Sequence, residues 1–296
     1  MIIDGKKIAE EIESEIQQEI QKLKGRRPGL AVILVGDHPP SHIYVNKKIE
    51  ACHKVGIHSV KRQFPNDITE EKLLIELQKL NRDPHVDGIL VQLPLPKQIN
   101  PITIIQSITP EKDVDGLHPI NVGKLFSGDT SGFVSCTPLG IKTLLERAGI
   151  NVQGKRVLVL GRSNLVGKPV AALLMQNADG ANATVTVAHS LSKNIPELCR
   201  SSDIIISAMG NPKFITLEMV KEGTVIIDVG IIKIDDPTLN KGYRIVGDVD
   251  FDAVKDKCSF ITPVPGGVGP MTIAMLLSNT LKSFLNKIDR DAKQTR

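Results

Sequence analysis

At 296 residues the chain has room for about two domains and their cores, with no need of a disulfide or metal staple. It has no Trp, two Tyr and seven Phe, a scarcity that argues against single-stranded nucleic-acid platforms and aromatic-rich sugar clefts. A 41% hydrophobic and 24% charged composition excludes a disordered chain, and a net charge of +4 spread without a stripe describes a solvated surface rather than a nucleic-acid binder. No run approaches the roughly 18 apolar residues of a membrane span, and a terminus charged from Asp4 is unlike a signal peptide. Cys52, Cys136, Cys199 and Cys258 form no CxxC pair, which points to reduced thiols in a cytosolic setting. The seven histidines form no HxxxH or HExxH arrangement, so no metal site is expected.

In chain order, Ile8, Ile12, Ile16, Ile20 and Leu23 give residues 4–24 the spacing of an amphipathic helix. The apolar run Leu30–Val35 reads as a buried strand stopped by Gly36, and Ser41 as the N-cap of a helix through Val55. Strands follow at 58–64 and 88–93, separated by a helix over 69–82, an alternation that indicates parallel βαβ units. A helix over 141–149 ends at Gly149. The same grammar then restarts: strand 156–160, helix 166–177, strands 183–188, 203–207 and 224–228, and a final helix over 271–285. The reading is two α/β domains, the second beginning near residue 141.

Val157–Leu160 runs into Gly161-Arg162-Ser163-Asn164-Leu165-Val166-Gly167, a strand meeting a Gly turn that opens a helix. Such a turn suits a pyrophosphate, through free N–H groups and the helix dipole, or serves packing alone. It departs from GxGxxG, since Ser163 and Val166 replace two glycines. The next strand ends in His189-Ser190 with no acid for ribose hydroxyls, and with Arg162 nearby this favours NADP over NAD, unless His189 and Ser190 merely cap the following helix. Tyr44 and Lys48 share a helix face, where a phenol beside an amine is either an acid/base pair or solvated surface. Gln92 follows a strand end, and Asp113 and Asp115 stand in a turn, each a candidate ligand group or a local cap. The stiff segment 263–272 permits close ligand approach, crosses between domains, or does both.

Together these blocks resemble the bifunctional methylenetetrahydrofolate dehydrogenase/methenyltetrahydrofolate cyclohydrolase family over nearly the whole chain. The resemblance rests on Ser41…Tyr44-Val45-x-x-Lys48, the 91–96 segment Val-Gln-Leu-Pro-Leu-Pro, Lys112–Gly116, Cys136-Thr137-Pro138-x-Gly140, Gly161-Arg162-Ser163…Val166-Gly167-x-Pro169, His189-Ser190, Asp228–Ile231 and Pro263–Thr272. It implies an N-terminal αβα catalytic domain of residues 1–140 plus 270–296, a Rossmann-like NADP-binding domain of 141–269, a folate cleft between them, and a cytoplasmic homodimer joined through the nucleotide domains. The implied substrates are tetrahydrofolate one-carbon derivatives, with no nucleic-acid or membrane partner. By matching position, the implied catalytic residues are Lys48, which resembles the cyclohydrolase acid/base, Gln92, which would orient and tune it, Tyr44, which would pack on the folate and join the polar network, and Asp115, which resembles the carboxylate gripping the pterin's amino edge. Pro265, Gly266 and Gly267 would border the folate, and Gly161, Arg162, Ser163, Ser190 and Ile231 would contact NADP. Ser135 stands where the family commonly has proline. Tyr243 matches no motif and is expected to serve as a surface or packing residue.

Overall fold

A computed structural model describes residues 1–239 and 242–294. The chain divides into two compact units, one of residues 10–136 with 273–296 and the other of 1–9 with 137–272. The sequence-based limits, 1–140 with 270–296 against 141–269, differ from these at their edges. The first nine residues join the second unit because Ile2 pairs with Ile261 and the Ile3 N–H donates to the Ile261 carbonyl at 2.8 Å.

In the first unit, α1 (Gly5–Lys22) is capped by Asp4, which accepts from the Lys7 N–H at 3.0 Å. Ile12, Ile16 and Ile20 form its buried stripe. β1 (Gly29–Val35) is buried at every residue because it is the centre of a parallel sheet, flanked by β2 (His58–Phe64) and β3 (Gly88–Val91) in the order β2-β1-β3. α2 (Pro39–Val55) begins two residues before the expected Ser41. His38 is the residue before the helix, Pro39 and Pro40 preset the first-turn φ, and Ser41 is buried inside the helix with its hydroxyl 2.9 Å from His38 Nδ1. α3 (Glu70–Arg82) starts at a Thr69 cap and packs Leu73, Leu77 and Leu80 on a core with Ala31, Ile33, Ile89 and Val91. Two short helices, α4 (Pro101–Gln106) and α5 (Pro119–Ser127), were absent from the periodic reading, although Asn100-Pro101 and His118-Pro119 are helix-start signals.

In the second unit, α6 (Cys136–Arg147) leads into a five-stranded parallel sheet of order β10-β7-β6-β4-β5. Its strands are β4 (Arg156–Leu160), β5 (Thr184–Ala188), β6 (Ile204–Ser207), β7 (Val225–Asp228) and β10 (Phe260–Ile261). α7 (Gly167–Leu174) is shorter than expected, while α8 (Ile195–Ser201) covers Ile195 and Cys199 against a core with Leu158, Leu160 and Ile205. A hairpin of β8 (Ile232–Asp235) and β9 (Tyr243–Val246) sets Lys233 Nζ 4.1 Å above the Tyr243 ring, which makes Tyr243 a packing residue. α9 (Phe251–Val254) belongs to this unit, whereas α10 (Val268–Gln294) starts in it and from residue 273 belongs to the first unit. α10 is longer than expected, and its apolar stripe ends at the buried Phe284.

Within the first unit, this part of α10 meets the sheet at a buried charge. Asp87 accepts from both Arg26 guanidinium nitrogens at 2.6 Å and from the Gly29 N–H at 2.8 Å, while Arg26 lies 4.6 Å above the Phe284 ring. Removing the cation strands a carboxylate that is almost wholly out of water. Arg26→Ala should lower the unfolding free energy by about 2–4 kcal/mol in urea titration; a loss within the scatter of surface substitutions would show that water replaces the guanidinium.

Candidate active site

Strand order fixes where each unit exposes unpaired groups. In the sheet β2-β1-β3 the chain moves from β1 to one side and then to the other, so the segments leaving β1 and β3 diverge at their carboxyl ends. Such a switch point is where open α/β sheets take ligands. Gln92 is the first residue past β3. Its N–H donates to the Ile33 carbonyl at 2.9 Å and its side-chain Nε2 to the Leu93 carbonyl at 2.8 Å. The amide is thereby turned so that Oε1 accepts from Lys48 Nζ at 3.0 Å. Lys48 is half-buried on α2, and Tyr44, one turn earlier, is 39% exposed.

The turn 113–116 separates the roles of its two acids. Asp113 is buried and accepts from the Leu117 N–H at 3.2 Å, the His118 N–H at 2.8 Å and Asn121 Nδ2 at 2.8 Å, which makes it the local cap. Asp115 is half-buried beside the Cys136 thiol. Burial pushes that thiol well above its ordinary range; the Asp115 charge adds to the rise and the Lys48 charge opposes it, so both act on the same sulfur. Gly116, at φ +69°, lies against the Val134–Ser135 backbone, where a Cβ would overlap. Asn279 of α10 closes the turn, donating to the Val114 and Val134 carbonyls at 2.8 and 3.0 Å. Ser135 is buried just before α6. Cys136 was legible only as part of a motif, and Asn279, 165 residues from Val114, carried no local signal.

The second unit has its own switch point, between β4 and β6. Gly161, at φ +116°, begins the turn after β4, and a Cβ there would overlap the Ala208 carbonyl after β6. Gly167 opens α7 against the Gly161 carbonyl with equally little room. Ser163 Oγ accepts from the Val166 N–H at 3.1 Å, and the Arg162 side chain is exposed. At the end of β5, His189 Nδ1 accepts from the Leu191 N–H at 3.2 Å, so His189 serves the turn while Ser190 is exposed. Ile231 is 51% exposed after β7. The turn Pro265-Gly266-Gly267 has Gly266 at φ +106° and accepts from the Lys6 N–H through the Gly266 carbonyl at 3.0 Å. Glycine at 161 and 167 leaves a close backbone cradle beside a helix N-terminus, with a guanidinium at its rim, a donor set that fits a dinucleotide carrying an extra phosphate. No group of three or more His, Cys, Asp or Glu residues able to hold a metal occurs among the described residues.

These features define a two-domain α/β enzyme with a nucleotide turn on one unit and a lysine–amide pair on the other. Residues 3–115 match the catalytic-domain model of tetrahydrofolate dehydrogenase/cyclohydrolase, and residues 135–288 match its NAD(P)-binding-domain model. The bifunctional protein FolD of Protochlamydia amoebophila is 62% identical over 284 residues, 96% of this chain and 97% of that protein. The crystal structure of the bifunctional FolD dehydrogenase/cyclohydrolase of Campylobacter jejuni is 48% identical with a TM-score of 0.91, covering 97% of this chain and 99% of that one. The Trypanosoma brucei enzyme, solved with NADP and an inhibitor, is 41% identical with a TM-score of 0.91, covering 97% and 98%. The chain belongs to the tetrahydrofolate dehydrogenase/cyclohydrolase family. It is a bifunctional enzyme of folate one-carbon metabolism with an NAD(P)-binding domain.

Asp113 gives the first unit a pH signature. Burial holds its carboxyl up at about 6 against an ordinary 3.8, outweighing its three N–H donors. Because the folded value lies above the unfolded one, this group's stabilisation is complete below about pH 4 and is lost as pH rises through 6. Denaturant titrations should show the stability of the wild type relative to Asp113→Asn declining between those pH values; a pH-independent difference would remove the assignment.

Proposed function

We propose that the chain oxidises 5,10-methylenetetrahydrofolate to the 5,10-methenyl form with NADP and hydrolyses that product to 10-formyltetrahydrofolate, with Lys48 active only in the second step. NADP, when bound, accepts the hydride that leaves the methylene carbon. That step needs no protein proton carrier, so the chain's contribution to it is orientation. Hydrolysis does need one. Water adds to the electrophilic methenyl carbon, Lys48 Nζ takes a proton from it, and a proton returns to N5 as the carbon–nitrogen bond breaks, with one proton released overall.

The observation that carries this reading is the 3.0 Å contact between Lys48 Nζ and Gln92 Oε1 at a sheet switch point. An amide oxygen accepts a hydrogen from the amine without taking its charge, so Gln92 orients Lys48 and leaves it free to exchange protons. Asp115 takes the pterin's amino edge through charge-assisted hydrogen bonds, and Tyr44 packs on the folate. Pro265, Gly266 and Gly267 are folate contacts belonging to their own unit. Gly161, Arg162, Ser163, Ser190 and Ile231 hold NADP. Arg162 and Ser190, at strand ends that carry no ribose-binding acid, favour the 2′-phosphate.

We place the enzyme in the cytoplasm as a homodimer joined through its nucleotide-binding domain. In support, all four cysteines are free and buried, and among the described residues no helix is long and apolar enough to cross a membrane. β5 is an edge strand with Val187 41% and the following Leu191 78% exposed, a surface that pairing would cover. Val187→Lys should shift the sedimentation profile from dimer towards monomer, and an unchanged profile would move the interface elsewhere. Lys48→Ala should abolish methenyl decay while leaving measurable NADP reduction in the same spectrophotometric assay. Equal loss of both activities would sink the division of roles.

A further inference from the structure

Two buried carboxylates of the nucleotide-binding domain have no part in the chemistry above. Asp228, the last residue of β7, is 3% exposed, and Asp248, just past β9, is fully buried. Burying one carboxylate is costly, and burying two together more so, unless donors surround them. Here five of the six donors are backbone N–H groups and the sixth is the Ser207 hydroxyl. Asp228 Oδ1 accepts from the Gly230 N–H at 2.9 Å and the Asp248 N–H at 3.0 Å, and its Oδ2 from the Val249 N–H at 3.0 Å. Asp248 Oδ2 accepts from Ser207 Oγ at 3.0 Å and the Met209 N–H at 2.7 Å, and its Oδ1 from the Asn211 N–H at 3.0 Å.

The two acids therefore join three places. The segment 207–211 leaves β6, and its Ala208 carbonyl sits against Gly161 of the nucleotide turn. Gly230 precedes Ile231, and a Cβ at Gly230 would stand 2.6 Å from the Asp248 nitrogen and 2.7 Å from its Oδ1. The Asp228 N–H donates to Thr262 Oγ1 at 2.8 Å, at the root of the 263–267 turn. Six donors converge on four oxygens, and only an ionised carboxylate offers acceptors in every direction; an amide would turn an NH2 towards one of the N–H groups. Burial pushes the Asp228 carboxyl up to about 6, with the Asp248 charge adding to the rise and the three backbone donors opposing it.

We propose that Asp248 and Asp228 are positioning residues for the dehydrogenase step: they lock the loop after β6 and the loop after β7 into one geometry, so that Gly161 and Ile231 meet the same bound nucleotide. The inference rests on the reading of Gly161, Arg162, Ser163, Ser190 and Ile231 as nucleotide contacts. It assigns no role to the acids in hydrolysis, whose proton carrier Lys48 and its partner Gln92 belong to the other unit.

The test measures both activities, KM for NADP and thermal midpoint in Asp248→Asn, Ser207→Ala and Arg162→Ala. Asp248→Asn keeps the shape but sets an NH2 against a backbone N–H, so that two donors face each other; KM for NADP should rise at least about 10-fold, with methenyl hydrolysis within about twofold of wild type. Ser207→Ala deletes one of the six bonds without adding a donor, and should raise KM for NADP about 3- to 5-fold. This milder variant decides the matter if Asp248→Asn fails to fold. A lowered midpoint with KM for NADP unchanged in both variants would overturn the inference, since a purely structural pair would act in that way. Parallel loss of hydrolysis would overturn it as well. Arg162→Ala separates the two levels of the argument. If it raises KM for NADP while the other variants do not, only the positioning role fails; if it leaves KM unchanged, the nucleotide-site reading falls and the inference falls with it.

Discussion

Each unit of this enzyme is organised by the point at which its parallel sheet reverses direction of growth. Parallel strands need crossovers, and where successive crossovers go to opposite sides the segments leaving the strands part company. In the first unit this happens at β1 and β3, in the second at β4 and β6. The segments leaving those carboxyl ends diverge, so the Gln92 side chain and the Gly161 turn stand where open α/β sheets take ligands. The chemistry of the chain follows from that constraint: a proton carrier from a flanking helix meets the first switch point, and a glycine cradle occupies the second.

Loops at a switch point have no ladder to hold them, and here carboxylates and amides replace it. Asp113 with Asn121 shapes the turn that presents Asp115, and Asn279 anchors the same turn from α10. Asp228 and Asp248 do the corresponding work in the nucleotide domain. Asp87, paired with Arg26, fixes the edge from which β3 begins. Asp87, Asp113, Asp228 and Asp248 are each more than nine-tenths out of water, a costly arrangement that is offset because each carboxylate gathers at least three donors, backbone N–H groups among them.

Aromatic scarcity acquires a structural sense against this background. The cores are aliphatic, with Leu73, Leu77, Ile89, Leu158 and Ile205 at their centres, and the few rings are spent individually. Phe284 lies under Arg26, Tyr243 under Lys233, and Tyr44 remains partly exposed one turn from Lys48. The periodic reading found the long elements because burial repeats at fixed intervals along them. It passed over α4, α5 and the β8–β9 hairpin, which are too short to show a period, and it placed the start of α2 at Ser41 because it weighted a capping hydroxyl above two prolines that preset the first turn.

By itself the sequence determined the α/β class, the alternation of strands and helices, the placing of Tyr44 and Lys48 on one helix face, and the glycine turn after β4. All of these follow from interactions between residues a few positions apart. Tertiary structure alone decided that Gln92 Oε1 faces Lys48, that Asp113 caps the turn while Asp115 stays partly exposed, that Asn279 reaches Val114 across the chain, and that two acids twenty residues apart share the loops of the nucleotide domain. Such partners are chosen by which donors and acceptors folding leaves unpaired in the same small volume, and no local pattern encodes that choice.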